Sequence, residues 1–402
     1  MKAEHFPTIY LIVGSFFDPR TRQIELGGTE TYSAALANLA YRKGSRTWIL
    51  QRSPEHINES LSGGITVESW QNVAELRKRL KELRSRNPGI VLQYEYIFIP
   101  DASELPCVMI QHGVASDGTA DSPKRANGVL WLADVRRRMA WLFTILREHR
   151  WCAAFSRVLC VDTNFINQMR ANHPIYDWSH HLEYIPNFSA ISEQADIEAK
   201  WQPRDPGTGV VLFARRFVIQ RGIYLWVDCV TELAARFPNV EFRFVGYGDG
   251  EDYLKPLARK HSNISFYSRQ HHEIQKEHEA AHIEVVPSLW SEGTSLSCLE
   301  AMAAGCAVVC SDVGGLGNLV MPGYNGVVIP PQTAFFTKSV THLLLNPQDA
   351  SQMGRRAYDV AKLSFSRATW EDRVESLLQD VSKNPKPTPL SRRWRPKSLS
   401  EK

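Results

Sequence analysis

The sequence predicts an α/β protein built of two Rossmann-like domains that face a cleft, and three observations lead there. Short apolar runs, at residues 8–15, 48–50, 89–94 and 107–111 and again at 210–214, 241–245, 264–267 and 283–286, alternate with longer helix-like stretches. Continuous runs of that length are the pattern of parallel strands buried on both faces. The alternation stops at the polar stretch 192–209, which holds Pro203, Pro206 and Gly207, and then restarts. That stretch reads as a linker between two sheets. The loops that follow the runs are rich in glycine, arginine and acids, and in an open parallel sheet such loops lie at the carboxyl edge, where ligands bind.

At 402 residues the chain exceeds one ordinary core and suits two or three domains. Hydrophobic residues at 43% and charged residues at 22% describe a soluble globular protein. A net charge of +4 is small for this length and gives no reason to expect nucleic acid. Seven cysteines, without C-x-x-C or Cys/His spacing, read as reduced core thiols, so a cytoplasmic location is expected. Residues 1–7 contain His, Glu and Pro, unlike a signal peptide, and no apolar stretch is long enough to span a bilayer. Membrane contact would then be peripheral, at the inner face. No cluster has metal-ligand spacing, and neither metal nor cofactor is expected.

The first domain is expected over residues 1–190. Its first strand leads, through a polar loop, to Gly27-Gly28-Thr29-Glu30 and a helix with Tyr32, Ala35, Leu36, Leu39 and Ala40 on its apolar side. Paired glycines before a helix either make an ordinary turn or bring backbone N–H groups close to a phosphate. Residues 74–86 form an exposed, charged helix between strands at 48–50 and 89–94. The run 107–111 ends in His112-Gly113, at the carboxyl edge; His112 is either a satisfied edge histidine or a group that bonds a sugar hydroxyl or a substrate carbonyl. Residues 125–151, with Arg136, Arg137, Arg138, Trp141, Phe143, Arg147 and Arg150, make a solvated basic face or one that touches an anionic membrane or acceptor. A last strand at 157–161, a helix from about Asn164, and Ile185-Pro186-Asn187 close the domain.

The second domain is expected over residues 208–364. Arg215, Arg216 and Arg221 follow its first strand; guanidinium groups grip phosphate bidentately, so three at one strand exit suggest a diphosphate site, with a solvated basic turn as the alternative. Gly246-Tyr247-Gly248-Asp249-Gly250 follows the next strand and resembles a dinucleotide fingerprint without its full spacing. The organising stretch is 287–312, which reads strand, loop, helix, strand. Glu292 in its loop and Glu300 in its helix, seven residues between them, are acceptor-only groups suited to the hydroxyls of a ribose or hexose. Without a ligand, such acids would stabilise the helix dipole by roughly 0.3–1 kcal/mol, and Ser291 or Ser295 would cap the helix. Asp312-Val313-Gly314-Gly315-Leu316-Gly317-Asn318 is a further glycine-rich loop. Helices are expected from Pro347 to Leu363 and from Ala368 to Val381, and the basic tail 383–402 is expected to be disordered.

Taken together and in this order, Gly27-Gly28-Thr29-Glu30, His112-Gly113, Ile185-Pro186-Asn187, Phe213-Ala214-Arg215-Arg216 with Arg221-Gly222, Phe244-Val245-Gly246-Tyr247-Gly248 and the Glu292/Glu300 pair followed by Ala301-Met302-Ala303-Ala304-Gly305 resemble the retaining nucleotide-sugar glycosyltransferases of family 4. The resemblance covers residues 8–381. It implies the GT-B fold, with an acceptor-side first domain, a donor-side second domain and a last helix, residues 365–382, crossing back to the first. It implies that Arg216 and Arg221 hold the donor diphosphate, Arg221 replacing the usual lysine, and that Glu300 binds the ribose hydroxyls. Glu292 would contact the transferred sugar and favour positive charge at its anomeric carbon, and His112 would contact that sugar from the other domain. Gly28 would bring backbone to the phosphates or acceptor, and Gly246, Gly248, Ser295 and Leu296 would complete the donor site. The implied partners are a nucleoside-diphosphate sugar and a hydroxyl acceptor (a saccharide, a lipid-linked saccharide or a small molecule), in cell-surface polysaccharide or glycoconjugate synthesis, without nucleic acid or metal. Three departures bear on the donor sugar: Thr294-Ser295 for the usual Phe-Gly, Arg215 where glycine is common, and Asn318 where glutamate is common. A nucleotide-sugar epimerase and a non-catalytic nucleotide-sugar-binding partner subunit are the rival readings.

Overall fold

The computed structural model describes residues 6–24, 27–94, 97–113 and 147–387. Most of the basic segment 125–151 and of the tail 383–402 lies outside the described residues. The chain divides into two units, Met1–Ile185 with Glu371–Lys402, and Pro186–Trp370.

In the first unit the strands are β1 (Thr8–Val13), β2 (Phe17–Asp18), β3 (Gln23–Ile24), β4 (Thr47–Arg52), β5 (Asn58–Leu61), β6 (Ile65–Trp70), β7 (Gly89–Tyr94), β8 (Cys107–Gln111), β9 (Arg157–Cys160) and β10 (Leu182–Tyr184). Among the described residues, eight form one sheet in the order β10-β9-β8-β7-β1-β4-β6-β5, parallel except where β5 runs against β6. β1 pairs with β4 on one side and β7 on the other, so Ile9 to Val13 are all buried, which is why this segment is apolar without alternation. The strand order turns at β1, and the helix Gly28–Arg42 follows that turning point. Residues from Glu371 onward join this unit through Arg42–Glu371 at 2.5 Å, Lys43–Glu375 at 2.7 Å and Arg157–Asp380 at 2.6 Å.

The second unit contains β11 (Gly209–Ala214), β12 (Val240–Val245), β13 (Ile264–Tyr267), β14 (Ile283–Val286), β15 (Ala307–Ser311) and β16 (Gly326–Ile329), all parallel, in the order β13-β12-β11-β14-β15-β16. One face of the sheet packs Phe213, Trp226, Phe242 and Phe244; the other packs Leu212, Cys298, Met302 and Cys310. The order turns between β11 and β14, so the loops after these two strands open side by side at the carboxyl edge. The seven cysteines are all buried and unbridged. Among the described residues, no helix is long and apolar enough to cross a membrane.

The stretch 192–209 is not a plain linker. Gln194–Ile197 is helical and Glu198–Trp201 is a 3-10 turn, with Ile197 and Trp201 packed on Tyr358 and the Trp201 indole donating to the Gly305 carbonyl at 2.9 Å. Two apolar side chains four residues apart supply the buried stripe, and the polar residues around them masked it in composition. Trp201→Ala is expected to cost about 3–5 kcal/mol, measured as a lower denaturant midpoint.

Candidate functional site

The site is assembled by loops pressed backbone to backbone at the carboxyl edge of the second sheet. β11 runs into Arg215 and Arg216, and the buried Phe217 pins the turn. The loop after β12 lies directly on that turn: the Phe217 N–H donates to the Tyr247 carbonyl at 2.7 Å, and the Gly250 N–H to the Phe217 carbonyl at 2.8 Å. Gly246 has φ +155°, and a Cβ there would collide with the Arg215 carbonyl; Gly248 abuts the Phe217 backbone in the same way. What the geometry shows of these two glycines is close loop packing that fixes Arg215 and Arg216. From the other side, Gly314 lies against Glu292, and the Gly315 N–H donates to the Glu292 carbonyl at 2.6 Å.

Held between these loops, the Glu292 carboxylate is buried and takes Arg215 Nη2 at 2.5 Å, Arg221 Nη1 at 3.0 Å and the Ser288 hydroxyl. Arg215 also donates to Ser288 Oγ at 2.6 Å. Burial alone would raise the Glu292 carboxyl, but the Arg215 and Arg221 guanidinium groups overcome it and bring the pKa down to about 2, so Glu292 is ionised at neutral pH. Arg221 itself is lowered, first by burial, with Glu292 opposing and the like charges of Arg215 and Arg216 adding to the shift. Sequence reasoning placed Arg216 with Arg221. The structure instead turns Arg215 inward onto Glu292 and leaves Arg216 exposed beside Arg221, without an ion pair among the described residues. Arg215, read at the strand exit as one of three arginines suited to a diphosphate and, against the resemblance, as a departure from glycine, is the one that pairs most closely with Glu292.

The helix Leu296–Ala303 starts at Ser295, which is buried and makes no side-chain cap bond, so the first N–H groups of the helix are not used up by a capping side chain. Asn187 secures this entrance: its N–H donates to Thr294 Oγ1 at 3.2 Å and its side-chain amide to the Thr294 carbonyl at 3.1 Å. Thr294-Ser295, the departure from Phe-Gly, is thereby tied to the Ile185-Pro186-Asn187 motif. Glu300 lies farther along this helix with its side chain 26% exposed, and His278 Nε2 is 3.5 Å from its carboxylate.

Gly28 and His112 belong to the first unit. Gly28 opens the helix Gly28–Arg42, and Glu30 in its first turn accepts from Ser15 Oγ and Thr29 Oγ1. A cavity of about 700 Å³ opens here, with Gly14, Glu30, Arg52, Gln71 and Asn72 among its walls. The His112 ring packs against Tyr32 and Tyr94, with centroids at 5.4 and 4.9 Å. Burial pushes its pKa down to about 4, so the ring is neutral at pH 7, and its Nε2 has no hydrogen-bond partner among the described residues. Among the described residues, no group of three or more His, Cys, Asp or Glu is placed to hold a metal ion.

The architecture is shared with solved structures. Sucrose-phosphate synthase from Thermosynechococcus elongatus superposes with a TM-score of 0.70 over 94% of this chain and 99% of that one, at 18% identity. HepE from Anabaena, solved with UDP, gives 0.65 over 93% and 100%, at 15% identity. The fold is therefore GT-B, that of two-domain glycosyltransferases. Residues 195–360 match the family described as glycosyl transferases group 1. Spore coat protein SA of Bacillus subtilis is 24% identical over 216 residues, half of this chain and 56% of that protein. The glycogen synthase of Mycobacterium tuberculosis is 31% identical over 168 residues, 40% of each chain. Alpha-D-kanosaminyltransferase of Streptomyces kanamyceticus is 24% identical over 213 residues, half of this chain and 54% of that protein. The chain spans about half the length of these curated relatives, or less.

Proposed function

We propose that the protein transfers a sugar from a nucleoside-diphosphate sugar to a hydroxyl acceptor, with retention of configuration. The observation that carries the reading is the charge at the loop edge: three guanidinium groups against one carboxylate leave two positive charges unmatched, beside a helix start without a side-chain cap. That is the complement of a diphosphate. Arg216, exposed and uncommitted, would grip the phosphates together with Arg221. The ionised Glu292 would stabilise positive charge growing at the anomeric carbon. In the transfer the anomeric carbon–phosphate oxygen bond breaks, the acceptor oxygen bonds to the same face of that carbon, and the acceptor proton passes to the leaving phosphate. Cationic side chains and helix dipole balance the leaving charge, so a metal has no necessary part. Glu300 would receive the ribose hydroxyls, and in the first unit the cavity beside Glu30 would take the acceptor.

HepE is solved with UDP and with UDP-glucose, and the names of the relatives include a glycogen synthase and a phosphatidyl-myo-inositol mannosyltransferase. This company favours a nucleotide-sugar donor and, for the acceptor, a cell-surface polysaccharide or glycoconjugate. Melting curves with UDP-, GDP-, ADP- and dTDP-sugars test the donor, since a ligand that binds only the folded state raises its stability by RT ln(1 + [L]/Kd). One of them is expected to raise Tm clearly, and Arg216→Ala to weaken its binding at least tenfold, about 1.4 kcal/mol. No shift with any of them at millimolar concentration would overturn the reading.

A further inference from the structure

We propose that His278 is a positioning residue: anchored by Glu284, it holds the Glu300 carboxylate ready for the ribose hydroxyls of the donor nucleotide. The inference rests on the donor reading above and adds to it how the ribose contact is held. His278 lies on the helix His271–Ala280 and Glu284 in the middle of β14, between β11 and β15; both side chains are fully buried. His278 Nδ1 is 2.6 Å from Glu284 Oε2, and Nε2 is 3.5 Å from Glu300 Oε2.

An acid in the centre of a parallel sheet costs several kcal/mol unless paired, and an apolar side chain would fill the place at no such cost. The arrangement has a consequence for Glu300. A neutral imidazole offers one N–H and one acceptor nitrogen, and the acceptor would then face a carboxylate that has no proton to give. Nε2 makes no hydrogen bond at 3.5 Å from Glu300 Oε2, so this side of the ring is a charge contact, which is favourable when both nitrogens carry hydrogen. Burial works against that charge, yet Glu284 and Glu300 outweigh it and raise His278 to about 10. Arg215 also acts on Glu284 and favours its charged form, and Lys200 Nζ donates to the main-chain carbonyls of His278 at 2.9 Å and Ala304 at 2.6 Å and lies 3.7 Å from Cys306 Sγ. Lys200 thus locks the backbone of both helices while the imidazolium fixes the acid. Glu284 has no exposure and Glu300 has 26%, so the triad runs from the sheet core to the surface and ends in a carboxylate directed by a buried cation. Groups fixed before the ligand arrives lose less freedom on binding, and that is the advantage to the ribose contact.

The test compares UDP, GDP and ADP with their 2′-deoxy counterparts by calorimetric titration of wild type, Glu300→Ala and the double variant His278→Leu/Glu284→Leu, which removes the buried pair as a unit. Wild type is expected to prefer the ribo form at least tenfold, and both variants to fall within threefold of no preference, with inorganic pyrophosphate bound as before. A double variant that melts cooperatively and keeps the wild-type preference overturns the role of His278 and leaves the donor reading intact. Wild type that binds diphosphates without preferring ribose removes the ribose contact and the proposal with it; wild type that binds none of them removes the donor reading as well. Side-chain ¹⁵N shifts of His278 in the unaltered protein at pH 8 give a second measure that needs no variant. Two protonated nitrogens are expected, and a neutral tautomer would sink the proposal.

Discussion

Glu292→Gln is expected to lower the rate of glycosyl transfer by about 10²–10³-fold, the scale on which preorganised charge acts, while binding of the free nucleoside diphosphate becomes tighter. The two effects have one cause. The amide keeps the bulk of the side chain but removes the negative charge that Arg215 and Arg221 share. On the proposed function, a third unmatched positive charge would then face the phosphates, and the anomeric carbon would lose the group that favours its developing charge. A packing defect alone would weaken both binding and turnover, so the opposite signs distinguish the charge argument from damage. Damage will be present too: removing one partner of a buried pair costs about 3–5 kcal/mol, so melting curves with and without nucleotide accompany the kinetics. Wild-type single-turnover rates with unchanged diphosphate affinity would show that the Glu292 charge has no part in the reaction.

How far the fold could be read from the residues depends on which forces act locally. β11 and β14 stood out because a strand covered on both faces has no solvent side to interrupt its apolar run. β6 did not, because Thr66, Glu68 and Ser69 break the run; Glu68 is buried there only because Arg79 forks onto it from the helix Val73–Arg86, at 2.6 and 2.8 Å. Glu284 shows the reverse. The strand around it was plain, and an acid within a continuous apolar run was a readable sign of a buried partner, but finding that partner at His278 required the fold. Arg215 and Arg216 present a third case. Three arginines at one strand exit were legible as a charge, whereas which of two adjacent side chains turns inward is set by the phase in which the chain leaves β11. That phase is fixed by the pressure of Gly246 and Gly248 on the Arg215–Phe217 backbone, a tertiary contact.

Because Glu292 is held by backbone contact, the site should be as vulnerable to a methyl group as to a lost charge. Gly314 has φ +54°, and a Cβ there would lie within 3 Å of both the backbone nitrogen and the backbone oxygen of Glu292, atoms with no rotamer to yield. Gly314→Ala must therefore push the loop away from Glu292, breaking the bond from the Gly315 N–H and shifting the carboxylate relative to Arg215 and Arg221. A displacement of about 1 Å at a reacting centre costs on the order of 10²-fold in rate, and the strained backbone adds roughly 1–3 kcal/mol of destabilisation. Gly317→Ala is the internal control. It lies in the same loop, but its φ is ordinary and an added Cβ meets nothing within 4 Å, so a stability change below about 1 kcal/mol is expected. Denaturant melts and kcat/KM on the two variants separate the cases: equal losses would mean that the loop as a whole is fragile, and a loss confined to Gly314→Ala would mean that contact with Glu292 sets the geometry of the arginine cluster.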